Sequence, residues 1–447
     1  MIRQEIIRLI QKITGESSEK IQVTYPEGDG FGDYTTNIAL RLKKPANEIA
    51  ENLKSDLFEK VEVAGPGFIN FFISKEYLQK QVNAILKEKD KFGQLKIGKG
   101  QKVNVEFVSA NPTGPLTVGN ARGGPFGDTL ANILEKAGYK AYREYYVNDT
   151  GKQIELLKNY GYNNEYTNEL KKRGEENVEK SVKFIVSKIK KTTERMGIRF
   201  DKWFFESDLH KKKAVDKIIK ILKKKNLIYD QDGAQWFSSS KYGDQRDRVL
   251  IKTDGSKTYL AGDIAYHQYK LKKFNKAINI WGADHYGDVP GLKAGVEALG
   301  YKDKLDIILL QFVSLIEGGK GLKMSKRKGI YISMDELLDA VGTDVARFFF
   351  LTKSADTHLN FDLALAKEQS DKNPVYYIQY AHARICSILR KAKMSEARPH
   401  SNLLEHPAEL KLIRQLIRFS EIIEDTAKDY QIQRLPQYAV DLATTFH

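Results

Sequence analysis

The sequence predicts an α/β protein built around a parallel β-sheet, with a small α+β domain before it and an α-helical bundle after it. The deciding pattern is an apolar strand over 103–108, a helix closed by Gly138 and a second strand over 141–147. Two strands joined through a helix lie parallel, with a right-handed crossover. A short apolar strand over 277–281 extends the sheet, and helical periodicity from residue 373 onward predicts the bundle.

The length of the chain predicts several domains, because 447 residues exceed what one ordinary hydrophobic core buries. The predicted boundaries are an N-terminal α+β domain at 1–74, a linker helix at 75–100, the α/β domain at 101–372 and the helical domain at 373–447. A helical and β insertion is expected within the α/β domain at about 160–255.

The first domain begins with apolar residues at helical spacing over 2–13 and a stop at Gly15. A second helical pattern covers 46–58. Residues 61–73 then alternate like two strands that are broken by glycine and proline at 65–67. Helices followed by a strand pair predict a compact α+β module.

The insertion is expected to be mostly helical and rich in lysine. Residues 159–168 have the composition of a polar loop, whereas 178–189 and 209–225 have helical periodicity. Strand patterns follow at 235–237 and 248–252. The lysines of the first helix either contact RNA phosphates or form a solvated face, and the pattern leaves both readings open.

A turn rich in proline and glycine, at 111–119, follows the first strand of the predicted sheet. Ligands of open parallel sheets bind at the carboxyl ends of the strands, where small residues let backbone amides face a phosphate group. The turn therefore predicts a nucleotide site. The strand over 277–281 is also followed by ligand-capable groups at 282–287, although a lone histidine such as His285 is more often structural.

A glycine-rich loop with several lysines, at 317–329, follows the apolar run 307–316, which is predicted to be one buried strand. Lys323 and Lys326 are three residues apart, so both ammonium groups can reach one polyphosphate. There they would oppose the charge that builds up on phosphate oxygens during attack on the α-phosphorus. Capping-box spacing at 333–336 predicts a helix directly after this loop.

The charge of the chain favours a polyanionic partner such as nucleic acid. Lys and Arg number 73 against 58 Asp and Glu, a surplus of +15. A lysine-rich solvated surface explains the same surplus. Cys386 is the only cysteine, which excludes internal disulfides and suits a reducing cytoplasm. No apolar run approaches the ~20 residues that cross a membrane, so a cytoplasmic protein is expected.

Several longer segments occur in a fixed order along nearly the whole chain. They are GDYTTNIALRL at 32–42, VAGPGFINF at 63–71, SANPTGPLTVGNARGG at 109–124, YYVNDTGKQ at 145–153, DGSKTYLAGDIAYH at 254–267, WGADHYG at 281–287, KMSKRKG at 323–329 and a helical segment at 376–389. This series resembles the arginyl-tRNA synthetases, a family of class I aminoacyl-tRNA synthetases. The resemblance implies a HUP-type Rossmann catalytic domain, an N-terminal domain that contacts the tRNA elbow, and a C-terminal anticodon-binding domain.

The resemblance also implies an arginine pocket. Tyr259 and Asp263 match the pair that receives the guanidinium of arginine, and a carboxylate with a planar guanidinium forms two charge-assisted hydrogen bonds. Without the resemblance, Asp263 has the pattern of an ordinary helix N-cap. The other residues implied in amino-acid binding are Ser109 and Asn111, for the α-amino and carboxylate ends, and Asn148 and Gln153.

The remaining implied residues act on ATP, with magnesium carried by the phosphates and no protein ligand to a metal. Those implied in ATP binding are Pro112, Gly114, Gly119, Asp284, His285, Met324 and Ser325. Those implied in catalysis are Lys323, Lys326, Thr117 and Asn120.

The sequence departs from the family at the His-x-Gly-His signature, where Thr117 and Asn120 replace both histidines. Both residues can still donate hydrogen bonds to phosphate. Removing one such donor costs about 10²–10³ in rate elsewhere. Slowed activation is therefore expected, and a catalytically impaired tRNA-binding relative is the alternative.

The implied function is that of an arginine–tRNA ligase. Its expected partners are tRNA(Arg), arginine and ATP, with Mg²⁺, and it is expected to be a monomer that does not bind membranes. The chain stops at His447 within a helical pattern where family members continue. The bundle is therefore expected to be incomplete, with weakened tRNA binding or a truncated gene as the consequence.

Overall fold

A computed structural model describes residues 1–28, 30–321, 332–392 and 400–447. The α-helices are α1 Ile2–Thr14, α2 Ile38–Leu42, α3 Ala46–Asn52, α4 Lys75–Glu88, α5 Val118–Ala121, α6 Gly123–Lys136, α7 Lys152–Glu155, α8 Glu165–Lys172, α9 Val178–Arg195, α10 Ser207–Lys211, α11 Ala214–Lys224, α12 Tyr259–Leu271, α13 Val289–Ala298, α14 Met334–Val341, α15 Thr343–Leu351, α16 Leu363–Lys367, α17 Pro374–Lys391, α18 Pro407–Ile417, α19 Phe419–Asp429 and α20 Arg434–Phe446. The strands are β1 Tyr34–Thr36, β2 Phe58–Ala64, β3 Phe68–Ile73, β4 Lys102–Glu106, β5 Lys140–Val147, β6 Lys202–Phe205, β7 Ile228–Gln231, β8 Ala234–Phe237, β9 Arg248–Ile251, β10 Lys276–Gly282, β11 Leu305–Leu310, β12 Val313–Glu317, β13 Lys320–Gly321 and β14 Leu359–Asp362.

The chain forms two compact units. The terminal unit consists of Met1–Gln94, Ile378–Asp425 and Tyr438–His447, and the sheet unit consists of Leu95–Tyr377 and Thr426–Gln437. Among the described residues, no helix is both long and apolar enough to cross a membrane.

The sheet unit is built on a five-stranded sheet in the order β11–β10–β4–β5–β6, and every pair in it is parallel. The predicted βαβ pattern is confirmed as β4, α5 with α6, and β5. Helix α6 lies very close to the strand, since a Cβ on Gly127 would sit 2.1 Å from Phe107. Because β10 pairs with β4, their carboxyl ends meet at one edge of the sheet, and the predicted α/β class is confirmed.

The prediction of a single strand over 307–316 was wrong. Residues Leu305–Leu310 pair with β10, whereas Val313–Glu317 pair with β14 and β13 in a different sheet. The break follows from contacts at Gln311, whose N–H donates to Ala355 O at 2.8 Å and whose carbonyl accepts from Arg122 Nη1 at 2.7 Å. The two strands therefore belong to different sheets, although the apolar run that contains them is continuous.

Two predicted helices have different bounds in the structure, and one predicted loop contains the start of a helix. The pattern over 46–58 ends as a helix at Asn52, and Phe58 already begins β2. The pattern over 209–225 is two helices, because Lys213 adopts a left-handed φ of 49° between them. The polar run 159–168 contains the start of α8, where the Asn164 side chain accepts from the N–H groups of Tyr166 and Thr167.

The region predicted as an insertion, about 160–255, contributes directly to the main sheet. Strand β6 (Lys202–Phe205) pairs in parallel with β5 and forms the sheet edge. Strands β7, β8 and β9 form a separate antiparallel sheet within the same range.

The terminal unit has one hydrophobic core that draws on both ends of the chain. Its antiparallel sheet has the order β1–β3–β2, so the predicted strand pair over 61–73 is confirmed. Ile6, Ile10 and Phe71 are fully buried in this core, and Ile413 of α18 is buried with them. The segments before Gln94 and after Ile378 therefore fold together, and the predicted boundaries at 74 and 373 remain predictions.

Candidate active site

A cavity of about 780 Å³ opens at the carboxyl ends of β4, β5 and β10 in the sheet unit. The predicted site residues that line it are Ser109, Asn111, Thr117, Gly119, Asn120, Asn148, Gln153, Tyr259, Asp263, Asp284 and His285. Residues from five separate segments of the sequence thus meet at one place. Pro112 and Gly114 do not line the cavity, and Lys323, Met324, Ser325 and Lys326 lie outside the described residues.

The backbone after β4 is strained, and the strain turns Ser109 into the cavity. Val108 has a φ of 68° and Ser109 a φ of 40°, a region that side-chain-bearing residues rarely adopt. The turn is held by Tyr146 N–H, which donates to Ser109 Oγ at 3.1 Å, and by Tyr145 OH, which donates to Ala110 O at 2.8 Å. Val108 is β-branched, and such residues rarely adopt a positive φ. Its conformation therefore indicates that the surrounding contacts hold the turn in place.

The turn around Gly114 packs against the start of α8. Asn164 Nδ2 donates to Thr113 O at 2.9 Å, and a Cβ on Gly114 would lie 2.7 Å from that amide nitrogen. Glycine is required here by close packing.

Thr117 and Asn120 are joined to each other and to the end of the lysine loop. The Thr117 hydroxyl donates to Asn120 Oδ1 at 2.7 Å. Thr117 also forms a backbone bridge with Ser333, and Val118 N–H donates to Ile332 O at 3.3 Å. The chain therefore returns from the loop that carries Lys323 and Lys326 directly beside the signature turn.

Asp263 lies within α12, whose N-cap is Thr258, and its carboxyl group is strongly perturbed. Burial, and then the nearby carboxylates of Glu106, Glu206 and Asp288, raise its pKa to about 8 against the opposing effect of Lys270. Burial, with Glu206 and Asp263 nearby, also raises the pKa of Tyr146. A cavity with this surplus of acidic groups favours a cationic ligand.

The side chains at the end of β5 form a second acidic edge. In the amide orientation that satisfies both groups, Asn148 Nδ2 donates to Glu206 Oε2 at 2.7 Å and to Thr150 O at 3.1 Å. Burial raises the pKa of Glu206. Asn111 Nδ2 donates to Gln153 Oε1 at 2.7 Å, which connects the two sides of the cavity.

Two predicted residues lie on the more open side, after β10. Asp284 and His285 belong to the 3-10 turn Ala283–Asp288, and the His285 ring lies 5.6 Å from that of Trp281. Tyr259, which leads α12, is 76% exposed. These groups are placed to contact a ligand that enters from solvent.

Comparison with known proteins places this geometry in one family. Residues 1–73 match the arginyl tRNA synthetase N-terminal domain, residues 81–171 and 161–360 match the catalytic domain of class I tRNA synthetases (R), and residues 378–447 match the DALR anticodon binding domain. The arginine–tRNA ligase 1 of Halalkalibacterium halodurans is 41% identical, over all of this chain and 90% of its own length. The chain belongs to the arginyl-tRNA synthetase family.

Other arginyl-tRNA synthetases agree with that placement. The arginine–tRNA ligase of Bacillus subtilis is 41% identical over 94% of this chain and 85% of its own length. The solved Thermus thermophilus arginyl-tRNA synthetase has the same fold, with a TM-score of 0.83 and 22% identity over 100% of this chain and 91% of that one. The Halalkalibacterium alignment spans 501 positions, more than the 447 residues of this chain, so that relative contains internal residues that this member of the family lacks.

The sequence prediction for this arginyl-tRNA synthetase missed a buried polar network beneath the cavity. Lys270 Nζ lies 2.5 Å from Glu106 Oε2 and 3.0 Å from Asn279 Oδ1. Asn279 Nδ2 lies 2.7 Å from His267 Nε2, and His267 Nδ1 lies 2.7 Å from Asp263 O. Glu106, a charged residue at the end of an apolar strand, was the sequence signal that could have indicated this network.

The cavity also contains a buried arginine that the prediction did not single out. Arg122 is 1% exposed, and its guanidinium donates to the backbone carbonyls of Gln311, Lys353, Ser354 and Thr357. Burial lowers the pKa of Arg122 to about 10. This side chain fixes the break between β11 and β12 against the start of α6.

Proposed function

We propose that this chain is an arginine–tRNA ligase. In the first step, the arginine carboxylate attacks the α-phosphorus of ATP, so that a carboxyl–phosphate bond forms and pyrophosphate leaves. In the second step, a hydroxyl of the terminal ribose of tRNA attacks the carbonyl of arginyl-adenylate, and AMP leaves. The observation that carries the proposal is the acidic cavity around Asp263, at the end of a parallel sheet.

Arginine is recognised by charge and shape. Asp263 offers the guanidinium two oxygens, and Tyr259 covers it from the rim. Ser109 and Asn111 hold the α-amino and carboxylate ends, and Asn148 and Gln153 close the pocket. Lysine would satisfy only part of this arrangement, since an ammonium cannot form a planar pair with a carboxylate.

ATP occupies the opposite side of the same cavity. Asp284 and His285 contact the adenosine, while Asn120 donates to the triphosphate and the Thr117 hydroxyl, which donates to Asn120 Oδ1, orients that amide. Lys323 and Lys326 neutralise the charge that develops on the phosphate oxygens, so catalysis is positioning and electrostatic stabilisation. Mg²⁺ enters with the nucleotide substrate, bound to its phosphates.

The tRNA is tRNA(Arg). Residues 1–74 contact its elbow and 373–447 its anticodon, while 101–372 act on its acceptor end. The enzyme works as a cytoplasmic monomer.

The test is arginine-dependent exchange of pyrophosphate into ATP, measured with and without tRNA. We expect exchange with arginine and tRNA present, and none with lysine. Exchange driven by a different amino acid would contradict the assigned pocket. Absence of exchange in every condition, with tRNA still bound, would instead favour the catalytically impaired tRNA-binding relative that the replaced histidines suggest.

A further inference from the structure

The buried network beneath the cavity joins two residues that face the arginine from opposite sides. Its members are nearly inaccessible: Lys270 and Asn279 are 0% exposed, His267 is 1% exposed and Glu106 is 4% exposed. At one end Glu106 contacts Ser109, and at the other His267 contacts the backbone of Asp263. Burying a lysine and a glutamate is costly, so a site that retains them has a use for their charges.

The network fixes the direction of hydrogen bonding at Ser109. A carboxylate only accepts, so the Ser109 hydroxyl donates to Glu106 Oε1, at 3.1 Å. Tyr146 N–H donates to one lone pair of Ser109 Oγ at 3.1 Å. A hydroxyl has one proton and two lone pairs, so Ser109 can offer a ligand in the cavity only an acceptor. An acceptor is what the α-ammonium group of an amino acid requires.

Lys270 holds the carboxylate that imposes this direction. Its ammonium lies 2.5 Å from Glu106 Oε2, and Asn279 Oδ1 accepts from it at 3.0 Å. Since Asp263 O can only accept from the ring, His267 Nδ1 carries the proton and Nε2 accepts from Asn279. Every member of the network thus has a defined role as donor or acceptor. The directions of the hydrogen bonds at Ser109 and Asn279 follow from the Lys270–Glu106 ion pair.

We infer that Lys270 and Glu106 are positioning residues for arginine, which orient the Ser109 hydroxyl as an acceptor for the α-ammonium group and hold α12 at Asp263 beneath the guanidinium. The inference rests on the proposed function and names residues that act through others. Neither side chain touches the reacting atoms.

The first test is the variant pair Glu106→Met and Lys270→Met, made together. Removing both charges together avoids leaving either Glu106 or Lys270 buried without its partner, and Glu144, which also lies near Lys270, keeps the hydrogen bond from Tyr266 OH at 2.5 Å, so the protein is expected to fold. Losing one charge-assisted hydrogen bond corresponds to about a tenfold change or more, so the KM for arginine in pyrophosphate exchange should rise about tenfold or more. The KM for ATP should stay within about twofold, because the network does not reach the phosphate side.

The matched control is Lys276→Met, which removes a lysine from the partly exposed ion pair with Asp306, at 2.5 Å, on the same strand as Asn279. This variant should leave the KM for arginine unchanged. Ser109→Ala should also raise the KM for arginine, and combining it with the double variant should give less than the sum of the two effects, since part of the effect of the network acts through Ser109.

A direct binding measurement separates this inference from the proposed function. The rise in melting temperature that arginine alone produces should be large in the parent protein and small in the double variant. A folded double variant with the parent's KM for arginine, or effects that add fully with Ser109→Ala, would overturn the inference while the ligase proposal stands. A parent protein that shows no arginine-dependent exchange would overturn the proposed function first.

Discussion

At the scale of single residues, the protonation of Asp263 decides how well the cavity receives a cation. Because burial and neighbouring carboxylates raise its pKa to about 8, the Asp263 carboxyl is largely protonated at neutral pH when no arginine is bound. Arginine needs the carboxylate form. We therefore expect the KM for arginine to fall up to about tenfold per pH unit as pH rises from 6 to 8, and to level off above that. Pyrophosphate exchange at saturating ATP and tRNA measures it.

The control for this prediction is Asp263→Asn, which should have a high KM for arginine at every pH. It should also be more stable than the parent at pH 8. The pKa of the Asp263 carboxyl is higher in the folded protein than in the unfolded chain, so the folded state loses stability as pH rises between these two pKa values. Asparagine does not ionise, so the variant avoids that loss of stability, which is about 1 kcal/mol or more. A parent KM that does not change between pH 6 and 8 would contradict the assignment of Asp263.

Asn120 allows a second residue-scale prediction. Asn120→Asp exchanges an amide for a negative carboxylate of the same shape beside the triphosphate. We expect the kcat of exchange to fall about 10²–10³-fold, as for loss of an oxyanion donor, with little change in the KM for arginine. Thr117→Ser keeps the hydroxyl that donates to Asn120 Oδ1 at 2.7 Å and serves as the control. Near-parental turnover in Asn120→Asp would place the phosphates elsewhere.

At the scale of elements, the sequence predicted what local patterns encode. Strands β4, β5 and β10 and helix α6 follow from apolar runs and glycine stops within single segments. The break at Gln311 could not be predicted, because it depends on Arg122, 189 residues away. The Lys270–Glu106 contact likewise joins residues 164 apart in sequence.

Helix α14, which follows the lysine loop, contacts the predicted insertion. It begins directly after Ser333, and its Asp335 accepts from Thr192 Oγ1 at 2.6 Å and from Arg195 Nη1 at 2.5 Å, both on α9. Asn164, which precedes α8, also contacts the turn at 111–119 through Thr113 O. The predicted insertion therefore contacts both α14, which follows the lysine loop, and the turn at 111–119, so we propose that it braces the two segments that are proposed to bind phosphate.

Asp335→Asn tests this brace. The substitution weakens the charge-assisted contact with Arg195, and α14 should then hold Ser333 less firmly beside Thr117. We expect kcat to fall by a few-fold to about tenfold, with the KM for arginine unchanged. Asp339→Asn is the matched control, since Asp339 also binds Arg195 at 2.5 Å but its side chain is 71% exposed. Equal effects of both substitutions would reject the brace.

At the scale of the whole chain, the terminal unit joins the first residues to the last helices, which no local pattern predicts. Arg3 Nη2 lies 2.9 Å from Glu424 and 2.7 Å from Asp425, and Arg3 N–H donates to Glu421 Oε1 at 3.0 Å. Glu421 and Glu424 are each 2% exposed. Although burial alone would lower the pKa of Arg3, Asp425 and the other carboxylates raise it. These contacts span more than 400 residues of sequence.

Arg3→Met should therefore destabilise the terminal unit far more than the loss of an exposed ion pair. Removing the cation takes away a charged partner of the buried Glu424 and of Asp425, and breaking a buried pair in this way costs about 3–5 kcal/mol. Lys75→Met is the matched control, because Lys75 and Glu405 also join distant segments of the terminal unit, at 2.8 Å, but both side chains are exposed. Its expected cost is small, because solvent screens an exposed ion pair. Urea unfolding followed by circular dichroism measures both. A cost for Arg3→Met no larger than for Lys75→Met would contradict this prediction. The apolar core around Ile413 would then hold the two ends of the chain together without the buried ion pair.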